Sequence, residues 1–179
     1  MRMSLSAFSP RAAGAGRAGG EPELVRKEEL DAAALSPDGR TLAYVGVDGS
    51  STGLYLRRMG SLDLKLLPNT HGAVGPFFSP DGRWIAFKGV TPTGKELAVV
   101  NVGGQPKGFR VLVTEGKAGV KDILENMTWS PDSTCLASAG VRGKAVHIWN
   151  ARSGQSVATL AVSADPRMPV RLAFSPDGA

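Results

Sequence analysis

The chain has 179 residues, of which 42% are hydrophobic, and a formal net charge of +5. These values are typical of one globular domain, and the basic residues are scattered, without a basic helix or an RNA-binding motif, so we expect no nucleic-acid partner. The single cysteine, Cys135, excludes an intrachain disulfide and a cysteine metal cluster, and we expect it to be a buried strand residue. No apolar run reaches the roughly 18 residues that a membrane span needs.

Residues 1–28 form a basic segment rich in alanine and glycine, which we expect to be flexible because it cannot bury a core. Three arginines and three serines without an acidic residue in positions 1–20 resemble an organelle transit peptide. Pro10 and the glycines would weaken the amphipathic helix that such a peptide needs. We therefore expect a cytoplasmic protein, with the transit peptide as the alternative. Residues 24–26 are compatible with a short strand before the repeats.

One tetrapeptide recurs along the rest of the chain. Ser-Pro-Asp begins at Ser36, Ser79, Ser130 and Ser175, and glycine follows it in every copy except the third, which has Ser133. The serine-to-serine spacings of 43, 51 and 45 residues indicate a repeat architecture. Proline and aspartate suit the two central positions of a type I turn and glycine takes the left-handed conformation next, so each copy joins two antiparallel strands. The third turn should be strained or of another type.

Short apolar runs bounded by turn residues predict four strands in each unit. In the first unit they are residues 32–35, 41–46, 54–58 and 64–67, with turns at 47–53 and 59–63. In the second they are residues 76–78, 83–88, 96–102 and 109–113, with turns at 91–95 and 103–108. In the third they are residues 126–130, 135–139, 145–150 and 155–162, and residues 170–174 begin a fourth unit. The longer link at 114–124 is a place for partner contacts or a tolerated insertion.

Four short antiparallel strands per unit make one blade of a propeller, which is apolar on both faces because it packs against a blade on each side. The sequence therefore predicts an all-β fold: a β-propeller arc of about three four-stranded antiparallel blades plus the start of a fourth, with the ring not closed. The arc occupies residues 29–179, with blades near 30–68, 73–114 and 125–162 and a fourth begun at 169.

Propellers have about four to eight blades. We therefore expect an interrupted propeller, whose missing blades belong to the rest of a longer chain or to another chain.

The third unit resembles a WD repeat. The residues that carry the resemblance are Trp129, Leu136-Ala137-Ser138-Ala139-Gly140 and Val146-His147-Ile148-Trp149-Asn150, where Trp-Asn replaces the closing Trp-Asp. In WD repeats a buried Asp-His-Ser-Trp hydrogen-bond network ties the blade together, and Ser138 and Trp149 are the members of that network visible in this unit.

The first two units are more similar to TolB-type repeats. They have Tyr44 and Phe87 in place of the small serine, and residues 66–87 resemble the propellers attached to bacterial serine/threonine protein kinases. The resemblance implies a WD-repeat-like propeller from about residue 30 to residue 179. Buried aromatic packing, with Trp84 and Trp129 in the core, should replace the missing polar network.

The sequence contains no recognisable catalytic constellation. His71 and His147 fall in different units, and His147 fits a packed or edge position on a strand better than the role of a general base. The serine and aspartate of the turns recur in every unit, whereas a catalytic set would occur once, so we assign them a structural role. We expect no enzymatic activity, no cofactor and no metal.

The propeller resemblance implies a non-catalytic scaffold for protein-protein interaction, in which loops on one face contact a protein partner. One alternative is a sensor or regulatory propeller of a larger signalling protein, such as a bacterial serine/threonine kinase. The other is an accessory propeller of a serine peptidase. The candidate partner-binding residues are Arg57, Arg58, Lys117 and Lys121.

Overall fold

The structure, a computed structural model, describes residues 23–24, 33–48, 51–91, 94–103, 108–114, 126–139, 145–162 and 171–178. Across these ranges every regular element is a β-strand. The described residues contain no helix that is long and apolar enough to cross a bilayer. The strands form three antiparallel sheets, none of which closes into a ring, so the predicted all-β fold class is confirmed.

Each sheet is one blade, built from strands that follow one another along the chain. Blade 1 contains β1 (Glu23–Leu24), β2 (Ala33–Leu35), β3 (Thr41–Asp48), β4 (Ser51–Arg58) and β5 (Leu64–Leu66). Blade 2 contains β6 (Ala73–Phe78), β7 (Trp84–Thr91), β8 (Gly94–Asn101) and β9 (Phe109–Thr114). Blade 3 contains β10 (Asn126–Trp129), β11 (Cys135–Ala139), β12 (Ala145–Asn150) and β13 (Ser156–Ala161).

Blade 1 differs from the prediction at two places. Strand β1 pairs with Gly46 and Val47 at the end of β3, so β1 and β2 share one edge of that strand. The hairpins are also tighter than predicted, because Asp48 pairs with Ser51 in blade 1 and, likewise, Thr91 pairs with Gly94 in blade 2. The turns that we predicted over residues 47–53 and 91–95 are therefore mostly strand.

The same hydrogen bonds hold the Ser-Pro-Asp turn in all three blades. In blade 2, Ser79 Oγ donates to Asp81 Oδ1 at 2.6 Å, and the backbone N–H of Arg83 donates to the same oxygen at 3.0 Å. The N–H of Gly82 closes the turn on the carbonyl of Ser79 at 2.9 Å. Equivalent bonds occur in blades 1 and 3. The serine and the aspartate are therefore used within the turn, as predicted.

The position after the aspartate requires a positive φ, which glycine adopts without steric cost. Gly39 and Gly82 have φ angles of 71° and 69°, and Ser133 takes the same conformation at 63°. Of our two alternatives for the third turn, the strained one is correct. The Ser133 hydroxyl accepts a hydrogen bond from the backbone N–H of Asp81 at 3.0 Å, so this side chain also ties the third turn to the second.

Blade 2 packs through both faces, because side chains alternate along a strand. Ile85 and Phe87 on β7 face blade 1, where they meet the buried residues Ala43, Val45 and Leu54. Trp84 and Ala86 face blade 3, where they meet the buried residues Trp129, Leu136 and Trp149. Trp84 and Trp129 are each only 7% exposed, so their predicted place in the core is confirmed.

A buried hydrogen bond between two side chains lies inside the packed part of blade 3. Trp149 Nε1 donates to Ser138 Oγ at 2.9 Å, and Ser138 is fully buried. These are the two members of the WD-type network that the sequence retains. The Nε1 atom of Trp129 is also buried, but it forms no hydrogen bond with any residue that the structure describes.

The fourth unit forms its turn but no strand within the described residues. The N–H of Gly178 closes the turn on the Ser175 carbonyl at 2.9 Å, whereas residues 171–175 are not in a strand. Leu172 and Phe174 nevertheless pack against the buried alanines of β11. We predicted a strand at residues 170–174, which is wrong for residues 171–174. Their apolar side chains pack against blade 3, but no described strand lies beside them to form backbone hydrogen bonds.

The strain at Ser133 can be separated from its hydrogen bond by two substitutions. Ser133→Ala keeps the left-handed backbone and removes the acceptor for Asp81, so the free energy of unfolding should fall by about 1 kcal/mol. Ser133→Gly removes the same acceptor but relieves about 1 to 2 kcal/mol of backbone strain, so its stability should equal or exceed that of the wild type. Urea unfolding measures both, and equal stabilities for the two variants would contradict the strain.

The two buried tryptophans offer a matched test of the Ser138 hydrogen bond. Trp149→Phe removes a donor that has a partner and leaves a buried hydroxyl unpaired, whereas Trp129→Phe removes a donor that makes no hydrogen bond with a described residue. Both changes remove a similar apolar area, so Trp149→Phe should cost about 1 to 3 kcal/mol more in unfolding free energy. Chemical denaturation gives the two values. If the costs are the same, the hydrogen bond does not stabilise blade 3.

Candidate interaction site

The titratable residues that drew attention in the sequence do not assemble into a site. In the described part of the chain there is no group of three or more His, Cys, Asp or Glu residues placed to hold a metal ion. His71 is exposed. His147 lies on β12, where its ring stacks on Trp149 with centroids 5.7 Å apart and its Nδ1 lies 3.2 Å from Thr159 Oγ1. Cys135 begins β11 and is half-buried, rather than buried as we expected.

Hydrogen bonds within the turns favour the ionised form of two turn carboxylates, Asp38 and Asp132. The hydrogen bond from the Ser36 hydroxyl, followed by that from the Arg40 backbone, lowers the pKa of Asp38 from its ordinary value of 3.8. In blade 3 the Ser130 hydroxyl makes the largest contribution to the lowered pKa of Asp132. Each of these two carboxylates is therefore ionised at neutral pH and accepts the hydrogen bonds that close its turn. It carries no proton that it could donate at that pH.

Two of the four predicted partner-binding residues, Arg57 and Arg58, lie in the described part of the chain. Lys117 and Lys121 lie outside the described residues. Arg57 and Arg58 are successive residues at the end of β4, so their side chains leave opposite faces of the strand. Arg57 is half-buried and its Nε donates to the carbonyl of Ser61 at 3.1 Å, which supports the following turn. Arg58 is exposed and is the better candidate for contact with a partner.

The turn that joins β4 to β5, residues 58–63, presents two apolar side chains to solvent. Met59 is 61% exposed and Leu62 is 84% exposed. The third blade has polar, exposed side chains in its corresponding turn, Arg152 and Ser153. We refer to residues 58–63 as the β4–β5 turn. The sequence predicts a turn over residues 59–63 but does not mark Met59 and Leu62 as a surface feature.

Hydrogen bonds within blade 1 fix the backbone of the β4–β5 turn. The N–H of Met59 donates to the Arg40 carbonyl at 2.8 Å, and the N–H of Ser61 donates to the Arg58 carbonyl at 3.0 Å. Gly60 has a φ of 81°, which residues with a β-carbon rarely adopt. The exposed side chains are therefore carried by a defined backbone.

A cleft of about 200 Å³, which we call the interblade cleft, lies between blades 1 and 2. Its apolar lining includes Leu56 and Leu67 from blade 1 and Val102 and Phe109 from blade 2. Lys65, which is exposed, also lines it. The sequence does not predict this cleft, because its walls come from two units and no motif in either unit marks it.

A second cavity of about 270 Å³ lies within blade 1 and the link that follows it, beside Tyr55, Thr70 and His71. The hydroxyl of Thr70 accepts a hydrogen bond from the Leu54 N–H at 3.0 Å and donates to the Leu67 carbonyl at 2.7 Å. This polar side chain is thus engaged in holding the link against β4, which makes the interblade cleft the better candidate for a ligand.

His147 should make the stability of the chain depend on pH. Burial lowers its pKa from the ordinary value of 6.5, so between the two pKa values the unfolded chain binds the proton more strongly than the folded chain does. The free energy of unfolding should therefore fall as the pH drops below 6.5. Urea unfolding at about pH 7.5 and about pH 5.5 measures the change.

A substitution of His147 tests the origin of this pH dependence. His147→Gln should flatten the change in stability between the two pH values. If the unfolding free energy of His147→Gln changes between the two pH values as much as that of the wild type, another group causes the pH dependence. Asp38 and Asp132 do not interfere, because their lowered pKa values place their titration in more acidic solution.

Comparison with known proteins agrees with this architecture. No protein-family model matches the chain. An uncharacterised WD repeat-containing protein of Synechocystis sp. is 28% identical over 144 residues, which cover 80% of this chain and 38% of that protein. The crystal structure of TolB from Acinetobacter baumannii has a TM-score of 0.57 and 18% identity, covering 86% of this chain and 37% of TolB.

A third similar structure is the β-propeller domain of the Trilobed protease from Pyrococcus furiosus, with a TM-score of 0.56 and 17% identity over 73% of this chain and 41% of that chain. The chain thus spans less than half the length of each of these three proteins. The in-phase repeats, the three blades and these similarities together identify the fold as a partial β-propeller, which is similar to WD-repeat and TolB propellers.

Proposed function

We propose that the chain is a scaffold for protein-protein interaction and that the β4–β5 turn is one of its contact surfaces. The propeller architecture supports a scaffold role, since it carries loops on rigid blades. The observation that carries the proposal is the exposure of Met59 and Leu62 beside Arg58 on a turn whose backbone is fixed by hydrogen bonds.

This arrangement has the physical properties of a contact surface. Methionine and arginine are enriched in protein interfaces, and burial of a leucine or methionine side chain contributes about 1.5 to 3 kcal/mol. Because the turn is already ordered, binding costs little backbone entropy. Arg58 lies next to the apolar pair and can donate to a carboxylate of the partner. The expected partner surface therefore has an apolar pocket bordered by an acidic residue.

The similarity to the Trilobed protease propeller supports a second candidate, an accessory propeller of a serine peptidase. In that case the partner surface would belong to a hydrolase domain. The neighbouring coding sequence distinguishes the candidates, because a hydrolase domain encoded downstream favours the peptidase role and a kinase domain upstream favours the regulatory alternative.

A photo-crosslinking amino acid at position 62 tests the proposed surface in cells that express the gene. We expect it to trap a discrete protein, which mass spectrometry identifies and which is then purified. Met59→Ser/Leu62→Ser should weaken its affinity by about tenfold or more, because two apolar side chains lose their burial. Arg58→Glu should also weaken binding, and isothermal titration calorimetry gives each constant.

Val157 provides the matched control, because it is an exposed apolar residue on β13, in a different blade. A crosslinker at position 157 should not trap the same protein, and Val157→Ser should leave the affinity unchanged. All of these positions are exposed, so the variants should unfold within about 0.5 kcal/mol of the wild type. If the affinity is indifferent to Met59, Leu62 and Arg58, the β4–β5 turn is not the contact surface.

A further inference from the structure

We infer that the interblade cleft binds a short peptide segment in which a leucine-sized apolar side chain stands next to a carboxylate. The inference rests on the proposed function, because such a segment would belong to a protein partner. It adds a second contact site, distinct from the β4–β5 turn, and states the chemistry of what binds there.

The cleft is where the core between blades 1 and 2 meets solvent. Leu67 and Val100 are 5% and 4% exposed at the bottom of the cleft. Leu56, Val102 and Phe109 pack against the same core but are only half-buried. An apolar cavity of about 150 Å³ is large enough to hold benzene, so the cleft of about 200 Å³ has room for one large apolar side chain.

The next junction shows why this cleft is open. Lys65 pairs with Leu56 on β4, and Arg110 pairs with Val99 at the equivalent place in blade 2. Arg110 is half-buried, and a β-carbon built on Gly154 in the β12–β13 turn would lie 3.7 Å from its Cδ atom. The arginine side chain therefore lies over the turn of the following blade. Lys65 is exposed instead, so its side chain leaves the corresponding space unfilled.

The turn of the following blade differs between the two junctions as well. Val102 and Ala151 occupy equivalent positions, because their N–H groups donate to the Arg83 and Thr134 carbonyls at 2.8 and 3.0 Å. Ala151 is fully buried, whereas Val102 is half-buried and lines the cleft. Both differences leave apolar surface accessible between blades 1 and 2.

The charge of the cleft determines which group the peptide carries next to its apolar side chain. Among the described residues that line the cleft, Lys65 is the charged one and none is acidic. An ammonium group beside apolar walls favours a carboxylate placed directly next to the inserted side chain. Because Lys65 is exposed, salt should weaken this part of the interaction.

Three blocked tetrapeptides test the inference with the whole chain labelled with ¹⁵N. The probe is acetyl-Gly-Leu-Glu-Gly-amide, and its matched controls replace leucine by serine or glutamate by lysine. Titration followed by heteronuclear NMR should shift the amide signals of Lys65, Asn69 and Val102. The serine peptide should bind about tenfold more weakly and the lysine peptide about two- to fivefold more weakly.

A charge reversal in the protein completes the design. Lys65→Glu should invert the order of the glutamate and lysine peptides, whereas Arg58→Glu should not affect either. Equal affinity for the three peptides, shifts outside the cleft, or an unchanged order in Lys65→Glu would each overturn the inference. Each of these results would count against the cleft only, because the crosslinking experiment at position 62 tests the β4–β5 turn independently. Selective peptide binding without any protein trapped at position 62 would support the cleft while counting against the proposed contact surface.

Discussion

The structure depends on a turn in which a serine hydroxyl and an aspartate carboxylate bind each other and the backbone. This turn sets where the first two strands of a blade begin and end. The carbonyl that follows it in each blade then accepts the N–H at the end of the third strand, from Met59, Val102 or Ala151. One local motif therefore aligns three strands. A change in the turn should affect the whole blade rather than one hairpin.

The turns also connect the blades to one another. A β-carbon built on Gly82 would lie 3.5 Å from Pro37 Cδ, and the Ser133 hydroxyl bonds the Asp81 backbone. Apolar contacts between the sheets are non-directional, so by themselves they allow blades to slide. The Ser133 hydrogen bond supplies a directional restraint at one end of the junction between blades 2 and 3. Ser133 thus offsets part of its backbone strain by a bond that glycine cannot make.

The sequence was informative where structure follows from local rules. Strand positions followed from the turns and the apolar runs, and Cys135–Ala139 and Ala145–Asn150 were placed to the residue. Residues 171–174 were wrongly predicted as a strand. The alternation of apolar and polar residues predicts which side chains are buried, but a strand also needs a neighbouring strand to pair with. The interblade cleft could not be predicted, since it depends on whether one side chain, Lys65 or its equivalent Arg110, lies against the following blade. Only packing between units decides that orientation.

The difference between the two junctions indicates how a repeat scaffold acquires specific surfaces. The turn hydrogen bonds are the same in all three blades, so the positions of the strands are fixed in the same way in each. Side chains on the outer strand and on the turn before it do not take part in those bonds, and they differ from blade to blade. A change there, such as lysine for arginine or an apolar pair for polar residues, alters a surface without altering the frame that carries it. Surface chemistry and blade stability are therefore set by different residues in this chain.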